Sequence, residues 1–318
     1  MKTISIVIPC YNEADCIKLV YNELNKIFSS QLSQYQMQVI FVDDGSRDHT
    51  MREIKDLAEQ EGEETVKYIS FSRNFGKEAA IYAGLEYAKG DYVAVMDADL
   101  QHPPALLIEM VYCMEKEDVD CVGAKRVARN GDSFVRKAFS NVFFTVFNRI
   151  TGMNFVQGMT DYRLMKQKVV ASILSLQERE RFTKGIYSWI GFHIKWIEYK
   201  DVERKAGESK WYVRSLWNYA LSGVIAFAVA PLRGIIWMGM LGVLVSVIYG
   251  IQLFVHSVTG ARPWQDTTTI ILLLLFLGSM IITILGVIGE YLARIYLEVK
   301  KRPIYISRES NMIGEKLI

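Results

Sequence analysis

Cysteine and histidine are scarce in this chain of 318 residues, which has 4 of each. The cysteines, Cys10, Cys16, Cys113 and Cys121, form no C-x-x-C pair and have no histidine nearby at metal-ligand spacing. This pattern argues against a zinc site and against a disulfide framework. We therefore predict small buried or half-buried thiols in a reducing compartment.

The chain also lacks an excess of either charge, since 37 Lys and Arg face 35 Asp and Glu. Balanced charge excludes a basic domain that coats a polyanion, and we expect no nucleic-acid partner. A hydrophobic content of 51% excludes a disordered tail or a collagen-like fibre. Residues 211–318 carry 9 basic and 5 acidic side chains, which leaves 28 and 30 for residues 1–210. The mean hydropathy of +0.12 thus averages a soluble domain with an apolar segment.

The first 125 residues alternate short apolar runs with segments of helical spacing. The first run, Ile4 to Ile8, ends at Pro9 and is too short for a signal peptide, so we expect this domain on the cytoplasmic side. Such alternation predicts an α/β fold with a mostly parallel sheet and flanking helices.

Each of the first four predicted strands is followed by a polar cluster. The clusters are Tyr11-Asn12-Glu13, Asp43-Asp44-Gly45-Ser46, Ser72-Arg73-Asn74 and Asp97-Ala98-Asp99. In open α/β sheets, ligands bind beyond the carboxyl ends of the strands, where these clusters lie. Polar clusters after all four strands are difficult to explain as ordinary solvated loops.

Two long stretches without a charged side chain lie in the last third, at residues 234–258 and 267–289. Each is longer than the roughly 20 residues that a membrane-spanning helix needs. Basic residues flank the pair outside, so the positive-inside rule predicts both termini in the cytoplasm. We predict a catalytic domain at 1–210, an amphipathic juxtamembrane helix at 211–232, two transmembrane helices at 233–298 and a basic cytoplasmic tail at 299–318. The alternative for the segment after residue 210 is another packed soluble helix.

Asp97 and Asp99 bracket one small residue after an apolar strand, and strand alternation predicts both carboxylates on one side. Adjacent like charges are costly unless a hard cation such as Mg²⁺ or Mn²⁺ neutralises them together with phosphate oxygens. The carbonyl of Gln101 is a further candidate ligand. A lone D-x-D is a weak signal, but the other three strand ends strengthen it.

Asp44 and Lys77 are candidates for nucleotide contacts. A carboxylate at Asp44 can accept the N–H groups of a uracil or guanine base, although helix capping by Ser46 or Asp48 is a structural alternative for this turn. Lys77 follows Gly76 at a predicted helix start, where it can contact a phosphate, or it is a solvated surface lysine.

The combined motifs resemble a family 2 glycosyltransferase of GT-A fold. The branch most similar is that of the dolichyl-phosphate mannose synthases and bacterial polyprenyl-phosphate glycosyltransferases. The resemblance covers nearly the whole chain and rests on I-P-x-Y-N-E at residues 8–13, V-D-D-G-S-x-D-x-T at 42–50, N-x-G-K at 74–77, D-A-D-L-Q-H-P-P at 97–104, G-M-T-D-Y-R-L at 158–164 and R-x-x-G-x-S-K at 204–210.

The resemblance implies a role for each matching position. The nucleoside would be held by Pro9, Tyr11, Glu13 and Asp44, with Lys77 and Asp97 completing the nucleotide-sugar site, and Asp97, Asp99 and Gln101 would bind the metal and diphosphate. The acceptor's lipid phosphate would contact Arg126, Arg136 and Ser140, and a loop with Arg204 and Lys210 would close over the site. Asp161 falls on the family's acidic position, as the base or as the group that orients the acceptor; a purely structural carboxylate paired with Arg163 is the alternative.

The expected reaction is inverting transfer of a hexose, glucose or N-acetylglucosamine, from a nucleotide sugar, expected to be UDP-linked, to polyprenyl phosphate such as undecaprenyl phosphate. A processive polysaccharide synthase would share the carboxylates, but two spans are few for a polymer channel and a Q-x-x-R-W motif is missing. A non-catalytic membrane scaffold is the other alternative.

We also expect a multi-pass membrane protein that forms a homo-oligomer, with a tetramer among the allowed sizes. Two spans offer little area to anchor a domain of over 200 residues, and small residues such as Gly278, Gly286 and Gly289 suit helix packing.

Overall fold

The computed structural model of the chain describes residues 1–127, 148–149, 152, 155–156, 158–179, 181–199, a set of positions between 235 and 259, and 267–312. These residues fall into two compact units. One unit comprises Met1–Asn218 with Pro303–Ile318, and the other comprises Tyr219–Arg302.

The first unit is built on an eight-stranded mixed sheet with the order β7-β5-β6-β4-β1-β2-β3-β8. Its strands are β1 Lys2–Cys10, β2 Tyr35–Asp43, β3 Val66–Phe71, β4 Tyr92–Val95, β5 Cys121–Arg126, β6 Met159–Lys166, β7 Ile194–Tyr199 and β8 Ser307–Ser310. Neighbouring strands run parallel except where β6 pairs with β4 and β5, and where β8 pairs with β3. The mostly parallel α/β sheet predicted from the sequence is confirmed.

Helices cover both faces of this sheet. They are α1 Ala14–Ser30, α2 Thr50–Glu61, α3 Lys77–Tyr87, α4 Leu106–Lys116, α5 Gln167–Ser175 and α6 Thr183–Trp189. Alternate residues of β1 explain the two layers: Ile4, Ile6 and Ile8 join one core with α1, α2 and α4, whereas Val7 contacts α3. A Cβ on Gly84 of α3 would lie 2.2 Å from Val7 Cγ1, so glycine is what lets α3 sit this close to the sheet. All four cysteines are free and buried, as the sequence predicts.

The strand β8 follows the apolar segment and returns to the edge of the sheet beside β3. Its register pairs Ile69 with Ser310 and Phe71 with Ser307. An ion pair between Lys55 Nζ and Glu309 Oε2, at 2.6 Å, adds a side-chain link. Residues 299–318, which the sequence analysis described only as a basic tail, therefore supply a strand of the sheet.

In the second unit, helix α7 spans Thr267–Val299. Within it, Phe276–Val299 is long and apolar enough to cross a membrane, with a mean hydropathy of 1.8. It is the one such helix among the residues that the structure describes. The described positions between 235 and 258 are also helical, and residues 211–232 lie outside the described residues. The predicted domain limits and the two-span arrangement stay predictions.

Candidate active site

The loops after β1 and β2 are joined by hydrogen bonds between side chains and backbone. The N–H of Asn12 donates to Ser46 Oγ at 2.9 Å, and the N–H of Arg47 donates to Asn12 Oδ1 at 2.8 Å. The N–H of Glu13 donates to Thr50 Oγ1 at 2.8 Å. Two of the polar clusters that follow the strands thus form one connected surface at the carboxyl edge of the sheet.

The predicted nucleoside-binding residues lie at this edge. Pro9 is buried in β1, Tyr11 and Glu13 are half-buried in the loop that follows, and Asp44 is buried just after β2. The structure therefore brings residues 9–13 and Asp44, which lie at the ends of two different strands, to the same edge of the sheet. Their contacts with a nucleoside remain a prediction.

Asp44 holds the backbone that precedes α3. Its Oδ1 accepts the N–H of Phe75 at 2.6 Å, and its Oδ2 accepts the N–H of Gly76 at 3.0 Å. Burial raises the pKa of Asp44 to about 6, although the two N–H donors act in the opposite direction. The N-cap residue of α2 is His49 rather than Ser46 or Asp48, although Asp48 Oδ1 accepts the N–H of Thr50, the first residue of the helix, at 3.0 Å.

Gly45 allows the loop after β2 to pass directly over the loop after β3. Its φ is +68°, and a Cβ would lie 2.5 Å from the carbonyl carbon of Arg73. Any other residue would be strained by this conformation and would also collide with backbone. The D-D-G sequence is therefore a steric requirement of the site as well as a set of polar groups.

The centre of the site is a lysine held between two carboxylates. Lys77 Nζ lies 2.7 Å from Asp97 Oδ1 and 3.0 Å from Asp161 Oδ2. Partial loss of water lowers the pKa of Lys77, but the charges of Asp97 and Asp161 outweigh it and raise that pKa well above its usual value. The sequence predicted each residue separately, and the structure shows that they form one charge cluster.

Asp161 is ionised in this cluster. Burial by itself raises the pKa of Asp161, but the positive charges of Lys77, Lys184 and Arg163 outweigh burial and hold the pKa well below its usual range. Its Oδ1 is buried and has no hydrogen-bond partner. That oxygen is a buried acceptor to which no described group donates.

Arg163, two residues along β6, is a buried cation that the sequence analysis considered only as a structural partner of Asp161. Its side chain is 0% exposed, its Nη2 donates to the Thr160 carbonyl at 2.8 Å, and its guanidinium lies 3.3 Å from the centroid of the Tyr187 ring. It contributes to the low pKa of Asp161, but the two form no ion pair within 4.0 Å among the described contacts. The sequence does contain a signal for this arrangement: Asp161 and Arg163 are two residues apart in a strand, so their side chains lie on the same face.

Glu78, beside Lys77, was not predicted as a site residue. It accepts the N–H of Thr183 at 2.9 Å and also the Thr183 hydroxyl, which ties α3 to the start of α6. Burial, followed by the charge of Asp161, raises the pKa of Glu78 to about 7. An isolated glutamate in a helix gives no sequence signal of such a position.

Asp97, Asp99 and Gln101 lie in a turn after β4. The strand ends at Val95, and Leu100 has a φ of 57°. These residues therefore lie outside the strand. The prediction that strand alternation places both carboxylates on one side was wrong, because the alternation ends with β4. Asp99 Oδ1 instead accepts the N–H of Gln101 at 3.1 Å.

His102 links this turn to the far end of the sheet. Its Nε2 lies 3.7 Å from Asp97 Oδ2, and its Nδ1 lies 2.7 Å from the Tyr199 hydroxyl. Its ring is stacked on Tyr162, with centroids 6.0 Å apart. His102 belongs to the D-x-D-L-Q-H segment, but no role was predicted for it from the sequence.

The chemistry of this donor set is compatible with a divalent cation. Asp97 and Asp99 offer carboxylate oxygens, the ligands that Mg²⁺ and Mn²⁺ prefer, and such ions take the remaining positions from substrate phosphates and water. Within the described part of the chain, no group of three or more His, Cys, Asp and Glu side chains is arranged to hold a metal. The two carboxylates thus supply only part of the oxygen ligands that such an ion takes.

Arg126 is exposed at the end of β5, and its N–H donates to the carbonyl of Gly158 at 2.8 Å. Gly158 has a φ of +80°, and a Cβ there would lie 2.5 Å from the Arg126 carbonyl oxygen. The start of T-D-Y-R is thereby fixed next to Arg126. The other predicted phosphate contacts, Arg136, Ser140, Arg204 and Lys210, lie outside the described residues.

Comparison with known proteins gives matches to both parts of the chain. Residues 5–174 match Glycosyl transferase family 2, and residues 230–295 match the GtrB C-terminal hairpin. The chain is 46% identical over 314 residues to the putative glycosyltransferase CsbB of Bacillus subtilis, covering 99% of this chain and 94% of the relative. It is 36% identical over 308 residues to the SfII prophage-derived bactoprenol glucosyl transferase of Shigella flexneri, covering 97% and 98%.

Among solved structures, glucosyl-3-phosphoglycerate synthase from Mycobacterium tuberculosis in complex with UDP is similar, with a TM-score of 0.48 and 17% identity. The match covers 71% of this chain and 79% of that one.

Proposed function

The chain belongs to glycosyl transferase family 2, and we propose that it transfers glucose from UDP-glucose to a polyprenyl phosphate, with inversion, at the cytoplasmic face of a membrane. The observation that carries the proposal is the cluster of Lys77, Asp97 and Asp161 at the carboxyl edge of the sheet. Similarity over nearly the full length to a bactoprenol glucosyl transferase supports the acceptor and favours glucose over N-acetylglucosamine.

The donor lies along the loops after β1, β2 and β3. Asp44 is preorganised there by the N–H groups of Phe75 and Gly76, and Lys77 follows at the N-terminus of α3. A helix N-terminus and an ammonium both favour a diphosphate. When bound, a divalent ion held by Asp97, Asp99 and Gln101 supplies charge that stabilises the leaving diphosphate.

In the reaction, an oxygen of the acceptor phosphate forms a bond to the anomeric carbon, and the bond from that carbon to the diphosphate oxygen breaks. The nucleophile is already ionised, since a phosphate monoester has a second pKa of about 6. No proton has to leave the nucleophile, and the electron pair departs with the nucleoside diphosphate.

Asp161 orients groups rather than removing a proton. A carboxylate whose pKa is held well below its usual range is a weak base, because base strength follows pKa. Its contact with Lys77 at 3.0 Å instead fixes the ammonium between the donor side and the acceptor side of the site. This assignment chooses one of the two roles that the sequence left open.

The acceptor's phosphate is bound by Arg126 together with Arg136, Ser140, Arg204 and Lys210. Guanidinium groups are suited to a phosphate dianion through paired charge-assisted hydrogen bonds. Helix α7 and a preceding span at 234–258 anchor the chain, both termini stay cytoplasmic, and the protein forms a homo-oligomer.

The test uses the full chain in lipid nanodiscs that contain undecaprenyl phosphate, with labelled UDP-glucose and MgCl₂. We expect label in the lipid fraction, one glucose per lipid, and a β-linkage from the α-linked donor. Parallel reactions with UDP-N-acetylglucosamine and GDP-mannose show the sugar preference.

Three results would contradict the proposal. A polymer of many sugars would indicate a processive synthase. An absence of nucleotide release with every donor would indicate a scaffold. Transfer from UDP-N-acetylglucosamine alone would keep the reaction class but overturn the sugar.

A further inference from the structure

The segment that follows α7 places a tyrosine on the sheet, close to the loop after β3 (residues 72–76). Tyr305 is stacked on Phe71, with ring centroids 4.8 Å apart and planes 19° apart. Its hydroxyl donates to Glu86 Oε2 at 2.7 Å, near the end of α3. The N–H of Ser72 donates to the carbonyl of Ile306 at 3.0 Å, which continues the β3–β8 pairing into the loop.

Phe71 is connected to Asp44 in the candidate site through Phe75. Phe71 makes an edge contact with the half-buried ring of Phe75, with centroids 5.7 Å apart at 90°. The guanidinium of Arg73 lies over the Phe75 ring, 4.0 Å from its centroid. The N–H of Phe75 donates to Asp44 at 2.6 Å, and Lys77 is two residues further along.

We propose that Tyr305 is a positioning residue for the loop 72–76, and through that loop for Asp44 and Lys77. The proposal rests on the proposed function, because Asp44 and Lys77 are assigned there to the donor. Tyr305 touches no reacting group. It fixes Phe71, Phe71 limits where the Phe75 ring can lie, and the Phe75 backbone sets the hydrogen bond to Asp44.

The ring, rather than the hydroxyl, carries this effect. The loop 72–76 is held by the hydrogen bonds to Asp44, by the bond from the Ser72 N–H to the Ile306 carbonyl and by the aromatic contacts of Phe75. Loss of the Tyr305 ring leaves Phe71 without its stacking partner and so weakens the third of these anchors. Tyr305 belongs to the same unit of the chain as this loop, and it is six residues beyond Val299 at the end of α7.

The experiment compares Tyr305→Leu with Tyr305→Phe in the full chain. Leucine keeps an apolar side chain but removes the aromatic contact, whereas phenylalanine keeps the ring and loses only the hydroxyl. We expect Tyr305→Leu to raise the KM for UDP-glucose by roughly two- to tenfold, the range for one aromatic pair, with a smaller change in kcat. Tyr305→Phe should keep the wild-type KM.

Two further measurements separate positioning from general stability. Tyr68→Leu is the matched control, because it changes an aromatic side chain on the same strand but on the face toward α1 and α2. It should lower the melting temperature without changing the KM. Hydrogen exchange of a peptide covering residues 72–77 should become faster in Tyr305→Leu and not in Tyr68→Leu.

Equal KM values and equal exchange rates for Tyr305→Leu and Tyr305→Phe would overturn the inference. An equal rise in KM for Tyr305→Leu and Tyr68→Leu would also overturn it, since edge stability alone would then explain the effect. Exchange needs no substrate, so it decides the inference even if the wild-type chain transfers no glucose, a result that would instead contradict the proposed function.

Discussion

The loops after β1, β2 and β3 are held together differently from the charged cluster at the start of α3. The loops use hydrogen bonds between side chains and backbone, such as Asp44 with Phe75 and Gly76. The cluster uses charge: one ammonium lies between two carboxylates, and Asp161 Oδ1 has no hydrogen-bond partner.

This difference indicates which part is complete before substrate binds. The loop hydrogen bonds are directional and are already satisfied, so this surface is preformed. The charged cluster keeps an unsatisfied acceptor and can redistribute its contacts when a diphosphate and cation enter. Four substitutions test this comparison.

The largest effect is expected from Asp99→Asn. An amide lacks the charge that a divalent cation requires, so transfer should fall by about a thousandfold or more while the protein stays folded and membrane-bound. Asp91→Asn is the control. Asp91 precedes β4, whereas Asp99 follows it, and Asp91 accepts the N–H of Thr3 near the start of β1. Turnover at the wild-type rate in Asp99→Asn, or in excess chelator, would contradict the metal assignment.

Lys77→Met should lower kcat by about a hundredfold, since it removes the charge between Asp97 and Asp161. Without the Lys77 charge, burial of Asp161 is less well opposed and its pKa rises. Steady-state kinetics with UDP-glucose measure the effect, and Lys116→Met on α4 is the control. A change in acceptor KM alone would mean that the lysine does not act on the leaving group.

Asp44→Asn tests the preformed side through pH. The folded state holds Asp44 with a pKa of about 6, above the value of about 3.9 in an unfolded chain. Stability from this group is present below about pH 4 and is lost as the pH rises through about 6. Relative to wild type, the variant should therefore gain about 2 to 3 kcal/mol between pH 4 and pH 7.5.

Unfolding of the donor-free protein at the two pH values measures this difference. The amide oxygen of the variant can still accept the N–H groups of Phe75 and Gly76. An equal change in stability with pH in the variant and in wild type would contradict the raised pKa, because it would show that Asp44 ionises at no cost in the folded chain.

The smallest effect is expected from a pair of glycine substitutions. Gly45→Ala adds both a left-handed backbone strain and a contact 2.5 Å from the Arg73 carbonyl carbon. Gly62→Ala is a matched control, because its φ is +89° but a Cβ would meet nothing within 4 Å. Gly45→Ala should lose about 1 to 2 kcal/mol more stability than Gly62→Ala and should also raise the donor KM. Equal losses in chemical unfolding would mean that the two loops can move apart.

Much of the fold was predictable, because buried parallel strands appear in the sequence as apolar runs. The apolar run Ile4 to Ile8, for example, lies within β1, Lys2–Cys10. The strand β8, with the sequence S-R-E-S, has no apolar pattern and forms because an edge of the sheet is open beside it.

The candidate site was predicted as separate residues but not as a geometry. Lys77 and Asp161 are 84 positions apart, and their contact depends on where β6 enters the sheet next to β4. Arg163 illustrates the same limit, since its burial against Tyr187 depends on α6. Local patterns give residue types and strand ends, whereas pairings between distant segments are decided by packing.

The position of β8 has a consequence for making a soluble fragment. A truncation at residue 218 would keep most of the first unit but remove β8, and with it the partner of β3. The exposed edge of β3 would then offer unpaired N–H and C=O groups to another copy, a recognised route to aggregation. Such a fragment needs residues 303–312 restored beside β3, or charged side chains introduced along β3, to remain monomeric.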